Sequence, residues 1–446
     1  MKSDITEGNL LKGLFTISLP IIASNLLQSV AEVIDLFFVG RLGPDAIAGV
    51  ALSMMFILAI MTIVIGVVTA TTAFISHAWG SKEYDSAGTL LIHAMIVGGI
   101  FAVLFAIIGL IGSEHILLLL GATPHVAQLG GIFLQALLLG NFSMVGLWIL
   151  CSAYQSCGDA RTPMLVMLGS NVINIFLNPV LIFGYGIIPG LGIVGSALAT
   201  IISRTCGFVF LIGLILSHRG PIKLPASFQF DYGLMKRLFV VAIPNSLQNG
   251  MRSISFLALT AIVALYGEAA LAAYGIVIRM ELIAMMPGFA IATATAVIVG
   301  QNLGAKNPDR AISGVYYSLA FYGAVMIIIA AIYALFPSSI ISFFDPSGTS
   351  ISTGIGYFQT VAPFYIMTAI SIIISFAMNG AGATRIPMYA TGIALILVQI
   401  PLAVVLPGML DNGIYGVWYA VIIGLTLQAA ILFVAFSKRT WLTVRL

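Results

Sequence analysis

The segment AGVALSMMFILAIMTIVIGVVTATTAFIS, residues 48–76, decides the class of fold. It contains no Lys, Arg, Asp or Glu. It is also longer than the roughly 20 apolar residues that a helix needs to cross a bilayer. Strands of a membrane barrel would be about 10 residues long and would alternate polar with apolar side chains. The segment therefore predicts a membrane-spanning helix.

The composition extends this conclusion to the whole chain. Of the 446 residues, 60% are hydrophobic and 7% are charged, whereas soluble domains are about 45–50% apolar and about 25% charged. This composition excludes an ordinary soluble enzyme, a secreted disulfide scaffold and a disordered protein. The net charge is +3, and no Lys/Arg run suggests nucleic acid as a partner. The expected surroundings are a lipid bilayer.

Long apolar stretches predict twelve spans and an all-α membrane protein. We place the spans at residues 14–39, 48–76, 88–113, 126–157, 163–186, 192–217, 237–266, 270–301, 311–336, 352–380, 386–407 and 413–437. The two termini then lie on the same side of the membrane.

The positive charges predict that this side is the cytoplasm. With a cytoplasmic N-terminus, only Arg41 lies in an outer loop, and Arg204, Arg252 and Arg279 lie within spans. All other basic residues then lie inside, as the positive-inside rule requires. They are Lys2, Lys12, Lys82, Arg161, Arg219, Lys223, Lys236, Arg237, Lys306, Arg310, Arg385, Lys438, Arg439 and Arg445.

Residues in the first half of the chain match residues in the second half at one constant difference in residue number. We call this difference the repeat shift. It places Pro20 on Pro244, Gly43 on Gly267, Gly80 on Gly304, Arg161 on Arg385 and Gly192 on Gly416. Each half has six spans, an even number, so the repeats are parallel. We predict an N-lobe (1–217), a polar cytoplasmic linker (218–236) and a C-lobe (237–446) around a central cleft. Such an architecture is typical of transporters.

Four motifs together resemble the multidrug and toxic compound extrusion (MATE) family, and the resemblance covers all twelve spans. They are ISHAWG (75–80), its counterpart VGQNLG (299–304), D-x-x-x-V-G-R-L-G (35–43) and N-x-x-x-N-P (174–179). The resemblance implies a secondary antiporter that expels organic, often cationic, compounds in exchange for H+ or Na+. It is closer to the DinF-like and archaeal branch than to the NorM-like or eukaryotic branches. Those other branches carry acids in the seventh or tenth span, where this chain has Arg252 and Thr368.

Asp35 is the leading candidate for coupling to a cation. A carboxylate within a span costs several kcal/mol unless it is paired, hydrated or protonated, so such a residue is by default functional. Asp35 also matches the family's first-lobe coupling aspartate. Glu32 lies one turn away on the same face and is either a second coupling group or a structural partner of Arg204. An ion pair between Asp35 and Arg204 is the structural alternative.

A polar stripe in the fifth and sixth spans is the expected partner of Asp35. Asn171, Asn174 and Asn178 lie at i, i+3 and i+7, which places them on one helix face, and Thr200 follows in the next span. The resemblance implies that Asn174 and Thr200 help to form a cation site, and that Asn178 replaces a usual aspartate. The alternative is that the stripe only joins helices.

Two further sets of residues allow two interpretations each. Arg252, Arg279 and Glu281 form either a buried ion cluster in the C-lobe or, through Glu281 and Arg252, a substrate contact. Met54 and Met55 either pack in the core or line a substrate cleft with adaptable side chains. Pro20, early in the first span, predicts a bend that protonation of Asp35 controls; the alternatives are a static kink and a proline without effect in the first helical turn.

The sequence thus predicts a non-enzymatic antiporter for small organic, cationic substrates, without a cofactor other than its coupling ion. We expect H+ to be that ion, because Asp35 is the one certain carboxylate; Na+ is the alternative. A lipid-linked oligosaccharide flippase is the other alternative, although it would need more cations in its cleft. We expect a monomer in the inner membrane of a prokaryote, with both termini cytoplasmic.

Overall fold

The structure is a computed structural model that describes residues 5–345 and 351–444. The first half contains α1 (Leu10–Gly40), α2 (Pro44–Gly80), α3 (Tyr84–Leu119), α4 (Pro124–Leu139), α5 (Asn141–Ser156), α6 (Arg161–Phe183), strands β1 (Gly184–Tyr185) and β2 (Ile188–Pro189), and α7 (Ile193–Leu216). The second half contains α8 (Tyr232–Ala264), α9 (Glu268–Gly304), α10 (Pro308–Leu335), α11 (Pro337–Phe344), α12 (Ile351–Val361), α13 (Tyr365–Gly380), α14 (Arg385–Thr391), α15 (Ile400–Met409) and α16 (Ile414–Ser437). Lys2 and Arg445, which entered the charge count, lie outside the described residues.

The predicted all-α membrane architecture is confirmed. Among the described residues, ten helices are long and apolar enough to cross a membrane, and α4 with α5 passes the same test as a bent pair. The remaining predicted span corresponds to α8, which has 33 residues. Its Lys236, Arg237 and Arg252 make it less apolar than the others, so its length and position identify it rather than its hydropathy.

The fourth predicted span is broken. Its two parts, α4 and α5, meet at Gly140 with a bend of 50°. A Cβ atom at Gly140 would overlap the side chain of Ile201 on α7, so glycine permits this close approach. The sequence showed only one uninterrupted apolar stretch.

Two local elements were not predicted from the sequence. Residues 184–186, placed at the end of the fifth span, instead begin a small antiparallel hairpin in which Gly184 pairs with Pro189 and Tyr185 with Ile188. Gly184 and Gly186 have φ of 84° and 60°, a region that favours glycine. In the eleventh span, a π-helix over Gly392–Gln399 joins α14 to α15.

The backbone follows the repeat shift, but only up to the hairpin. The shift carries Pro44 and Gly80, the ends of α2, onto Glu268 and Gly304, the ends of α9. Beyond the hairpin, Gly192 (φ 58°, ψ −134°) precedes α7 just as Gly413 (φ 57°, ψ −132°) precedes α16. The pairing of Gly192 with Gly416 was therefore wrong. The offset between the halves becomes smaller here, because the second half has a shorter connection in place of the hairpin.

The described chain divides into two compact units. The first unit contains residues 19–242, and the second contains residues 5–18 together with 243–444. The chain passes from one unit to the other inside α1, next to Pro20, and inside α8, next to Pro244. The repeat shift relates these two crossing points.

Within the first unit, small residues let helices approach closely. A Cβ atom at Gly49 of α2 would lie 3.0 Å from the backbone of Gly130 on α4. Ser53 donates a hydrogen bond to the Gly130 carbonyl over 3.1 Å. Close backbone contact and hydroxyl hydrogen bonds are the usual means by which helices associate in lipid, where the hydrophobic effect provides no driving force.

The linker before α8 packs on the first unit. Ile222 is fully buried, and the backbone N–H of Asp231 donates to Nε2 of His93 over 3.0 Å. Phe228 and Phe230 contact the His93 ring. The Asp231 carboxylate accepts the backbone N–H of Leu234 at the start of α8, and this bond holds the pKa of Asp231 below its usual value.

Candidate functional site

The face of α1 near its Gly40 end carries the acidic residues of the candidate site. Gln28, Glu32 and Asp35 lie at i, i+4 and i+7, so they share one face of the helix. The amide of Gln28 donates to the Glu32 carboxylate over 2.9 Å. Asp35 is half-buried, whereas Glu32 is exposed.

Helices α6 and α7 supply a chain of hydrogen bonds that ends on Asp35. The side-chain amide of Asn174 donates to the Thr200 hydroxyl over 3.3 Å. The Asn178 amide donates to the Asn174 side-chain oxygen over 3.2 Å and also to the Asp35 carboxylate. The structure thus brings Asp35, Asn174, Asn178 and Thr200 together, as expected. Asn171 is buried on the same stripe, but its amide nitrogen has no hydrogen-bond partner.

Arg204 does not form the ion pair that was considered for it. Its guanidinium donates to the side-chain oxygen of Gln28 over 2.6 Å and contacts the Met167 sulfur at 3.6 Å. Among the described residues, no carboxylate forms a salt bridge with it. Gln28 therefore bridges Arg204 and Glu32, and both structural alternatives, an Arg204 pair with Asp35 or with Glu32, are wrong in that form.

These groups line a cavity of about 710 Å³ within the first unit. Its charged lining residues are Glu32, Asp35 and Arg204. Most of the other lining residues are apolar, and several are methionine or aromatic. They include Met54, Met61, Met144, Met167, Phe133 and Trp148. Cavities of about 300–1,000 Å³ with a mainly apolar wall and a few placed polar groups are typical of small-molecule sites.

Gln28, Asn141 and Trp148 are among the lining residues that sequence reasoning missed. Gln28 had a usable signal, since it precedes Glu32 by one helical turn. Asn141 is buried, lines the cavity and has no partner for either polar side-chain atom. Trp148 had no signal that separated it from other aromatic residues in the spans.

Of the residues proposed for a substrate cleft, only Met54 lines this cavity. Met55 is exposed and outside its lining. Glu281 and Arg252 belong to the second unit. A role for these three residues in substrate binding stays a prediction.

The predicted ion cluster of the C-lobe is not formed. Glu281 instead accepts hydrogen bonds from the hydroxyls of Tyr357 (2.7 Å) and Tyr365 (3.1 Å). In the described part of the chain, neither Arg252 nor Arg279 forms a salt bridge with a carboxylate, and Arg279 is exposed. Two tyrosines on α12 and α13, which sequence reasoning did not single out, thus hold the carboxylate.

Pro20 lies well inside α1, which begins at Leu10 and continues without interruption to Gly40. The interpretation of Pro20 as a harmless first-turn proline is therefore wrong. Proline lacks an N–H, so one backbone hydrogen bond is missing at this point of the helix. The Ser24 hydroxyl donates to the Pro20 carbonyl over 3.0 Å.

Within residues 5–345 and 351–444, no three His, Cys, Asp or Glu side chains are grouped so that they could hold a metal ion. The candidate site is one acidic, amide-rich wall of an apolar cavity. Groups of this kind can accept a proton, a small cation or an organic cation.

Comparison with known families gives two matches along the chain. The model of the family described as MatE matches residues 20–180 and again residues 244–405. The two matched stretches begin at Pro20 and Pro244, which are partners under the repeat shift.

Individual proteins match over nearly the whole chain. A protein named "Probable multidrug resistance protein YoeA" from Bacillus subtilis is 28% identical, covering 90% of this chain and 87% of its own. A "Probable multidrug resistance protein NorM" from Thermotoga maritima is 26% identical, covering 96% and 93%. A solved structure titled "Crystal structure of MATE in the bent conformation" is 22% identical with a TM-score of 0.91, covering 98% and 96%.

The family match covers both halves of the chain, and the fold agrees with that of solved MATE structures. These comparisons do not resolve the branch, so the assignment to the DinF-like and archaeal branch stays a prediction. The chain belongs to the MATE family of multi-pass membrane transporters and is not an enzyme.

Proposed function

We propose that this protein is a multidrug efflux antiporter that exports organic cations in exchange for protons, and that Asp35 binds the proton. The observation that carries the proposal is the position of Asp35, on the wall of a largely apolar cavity and in hydrogen-bond contact with a neutral amide. Two relatives are named probable multidrug resistance proteins, which supports organic compounds as the substrate class.

The charges of the cavity favour a cationic substrate. With both carboxylates ionised, Glu32, Asp35 and Arg204 give a net charge of −1. A monovalent organic cation neutralises this charge, while methionine and aromatic side chains contact its apolar part. A proton on Asp35 removes the same charge. Substrate and proton therefore compete for one negative charge, which is the requirement for exchange.

The hydrogen-bond directions favour H+ over Na+. Asn178 directs its N–H donors toward both the Asp35 carboxylate and the Asn174 oxygen. A sodium ion between these oxygens would meet a donor hydrogen rather than an oxygen ligand. Hard cations need several oxygen ligands, whereas a proton needs only the carboxylate.

The alternative of a lipid-linked oligosaccharide flippase is less compatible with this cavity. A pyrophosphate needs several cationic donors, but the cavity wall carries one guanidinium and two carboxylates. The charge in this part of the first unit therefore has the wrong sign for such a substrate.

Alternating access, as we propose it, uses a bend of α1 at Pro20. The missing backbone hydrogen bond at Pro20 lowers the cost of bending, and Asp35 lies on the same helix about four turns away. Protonation of Asp35 weakens its attraction for substrate while α1 bends, and substrate leaves to the outside. We further propose a monomer in the inner membrane of a prokaryote, with both termini in the cytoplasm.

The test is transport by the purified full-length protein in proteoliposomes loaded with ethidium. We expect efflux under an imposed pH gradient and none under a Na+ gradient at equal pH. Asp35→Asn keeps the shape of the side chain but removes the titratable charge, so it should abolish pH-driven efflux. Asp45→Asn is the matched control: Asp45 is exposed, at the start of α2, and its 3.6 Å contact is with His125.

Efflux driven by Na+ without response to pH would refute proton coupling. Near-normal efflux by well-inserted Asp35→Asn would refute the assignment of the site. Loss of efflux in both variants equally would also refute it, because the effect would then not depend on the cavity.

A further inference from the structure

The Glu281 carboxylate of α9 lies in an aromatic environment in the second unit. One of its oxygens, Oε1, accepts the hydroxyls of both Tyr357 and Tyr365. Tyr274 and Trp418 continue this wall by ring contacts with Tyr357. The side chains of these three tyrosines and of Trp418 are all buried. This arrangement leaves Oε2 of Glu281 as the oxygen available to a proton.

In the part of the chain that the structure describes, the titratable groups that interact with Glu281 are tyrosines. They come from its own helix and from each of the long elements that pack on it: Tyr274 (α9), Tyr333 (α10), Tyr357 (α12) and Tyr365 (α13). Within the described residues, no Lys, Arg or His forms an ion pair with Glu281. A half-buried carboxylate within a span, without a cation partner, is costly in its charged form, so a proton is the ligand that best stabilises it.

A row of polar side chains follows α13, starting one helical turn after Tyr365, whose hydroxyl contacts this carboxylate. Thr368, Ser371, Ser375 and Asn379 succeed Tyr365 at intervals of three or four residues. At about 100° per residue, all five positions fall within roughly one third of the helix circumference. Each of the four polar side chains is at least nine-tenths buried.

The oxygen atoms of this row are unpartnered. Thr368 Oγ1, Ser371 Oγ, Ser375 Oγ and Asn379 Oδ1 have no hydrogen-bond partner. Hydroxyls in other helices of this chain commonly donate to the carbonyl four residues earlier, as those of Thr295, Ser318 and Thr360 do. Buried polar atoms are normally satisfied by protein or by ordered water. Four successive side-chain oxygen atoms without a protein partner therefore indicate that ordered water forms hydrogen bonds with them.

The spacing of the row suits a chain of single water molecules. Intervals of three and four residues correspond to about 4.5 and 6 Å along the helix axis. One water that bridges two oxygens spans about 5.6 Å, twice a normal O–H···O distance. The row ends at Asn379, one residue before the end of α13 and shortly before Arg385, on the side that we expect to face the cytoplasm.

We propose that Glu281 is a second proton-binding group, which exchanges its proton with the cytoplasm through a file of water molecules along Thr368, Ser371, Ser375 and Asn379. In this step a hydronium at the Glu281 end of the file transfers one proton to Oε2. The products are a neutral carboxyl group and a water molecule. The Tyr357 and Tyr365 hydroxyls keep their protons and their hydrogen bonds to Oε1.

The hydroxyl positions of the file belong to the second half of the chain alone, whereas Asn379 has a polar counterpart in Gln155. The repeat shift places Met144, Leu147 and Cys151 at the positions of Thr368, Ser371 and Ser375. The first half thus lacks the hydroxyls of the row, as it lacks a counterpart of Glu281, which aligns with Ile57. The proton site proposed at Glu281 goes beyond the function proposed for Asp35 and does not depend on that function.

The first experiment measures protonation directly. Infrared difference spectra of the purified protein between acidic and alkaline pH report carboxyl groups through the carbonyl band of their protonated form. We expect Glu281→Gln to remove one titrating band that Asp35→Asn leaves in place. An unchanged set of bands in Glu281→Gln would overturn the proposal, whatever the spectrum of Asp35→Asn shows.

The second experiment measures access of water to the row. Cys206, the exposed native cysteine, is replaced by Ala, and single cysteines are introduced as Ser375→Cys and Ile374→Cys. Both positions are buried, but Ile374 lies about 100° away from Ser375 around the helix and outside the arc of the row. A membrane-impermeant methanethiosulfonate reagent is then added to inside-out vesicles.

Because the thiolate forms only where water reaches it, we expect Ser375→Cys to react about tenfold faster than Ile374→Cys. The buried Cys151, the first-half counterpart of Ser375, is present in both variants and gives the baseline. Equal rates at the two positions, or faster reaction from the opposite side of the membrane, would overturn the water file and its cytoplasmic opening.

Discussion

The substitution Asn178→Asp should convert the first-unit site from one that ignores Na+ to one that binds it. Asn178 is fully buried and in direct contact with the Asp35 carboxylate. A second carboxylate in this place would repel the first by about 4 kcal/mol at 4 Å and an effective dielectric constant of about 20. A cation between the two relieves that repulsion, and the Asn174 and Thr200 oxygens lie nearby to complete its ligands.

The expected result is stabilisation of the variant by Na+. A ligand at a hundred times its Kd stabilises a protein by about 2.7 kcal/mol. At about 2–4 °C per kcal/mol for a domain of this size, the melting temperature should rise by roughly 5–10 °C. The assay is thermal unfolding of the purified protein in detergent at pH 8, in NaCl and in choline chloride of equal ionic strength. The wild type should show no difference between the two salts.

Asn171→Asp is the matched control, because Asn171 is also buried on α6 but makes no hydrogen bond to Asp35. It should not respond to Na+. A wild-type shift as large as that of Asn178→Asp would refute the reasoning, because an amide at position 178 would then suffice for a sodium site. An equal response of Asn171→Asp would show that any added carboxylate has this effect.

Three other predictions concern the same helix, the linker and the topology. Gln28→Leu removes the amide that joins Arg204 to Glu32 and should destabilise the protein by about 1.5–3 kcal/mol, measured by thermal unfolding. Gln28→Glu can pair with Arg204 and should therefore restore much of this stability. If it does not, the bridging role of Gln28 is contradicted. His93→Phe should release the Asp231 backbone from its acceptor and speed proteolysis of residues 218–231, whereas the same substitution at the exposed His125 should leave the cleavage rate unchanged. Reporter fusions should place loops on the two sides of the membrane in agreement with the positive charges, and an external signal at Gly220 would refute the orientation. The expected cytoplasmic positions are Lys82, Gly220 and Lys306, and the expected external positions are Asp45, His125 and Asp411.

Much of the candidate site was predictable because its signals are local. Asp35 is a charge within an apolar helix, and the three asparagines of α6 repeat at helical spacing. Both features follow from composition and the helical period alone. The pairing of the two halves was also predictable, since an ungapped repeat is visible without coordinates. The pairing of the halves fails only after the hairpin. There the connection is shorter in the second half, so Gly192 corresponds to Gly413 and not to Gly416.

The partners of the charges were not predictable in this way. An ion pair between Arg204 and a carboxylate was the structural alternative, yet Gln28 lies between Arg204 and Glu32. Glu281 meets two tyrosines instead of the arginines that precede it in the sequence. Which groups meet depends on the rotation of each helix about its axis and on where backbones approach, as at Gly140 and Ile201. Sequence periodicity defines the face of one helix, but only tertiary packing decides which face of another helix lies opposite. The sequence by itself therefore determined the membrane class, the repeat and the candidate coupling aspartate, whereas the tertiary structure decided the cavity, the bridge at Gln28 and the surroundings of Glu281.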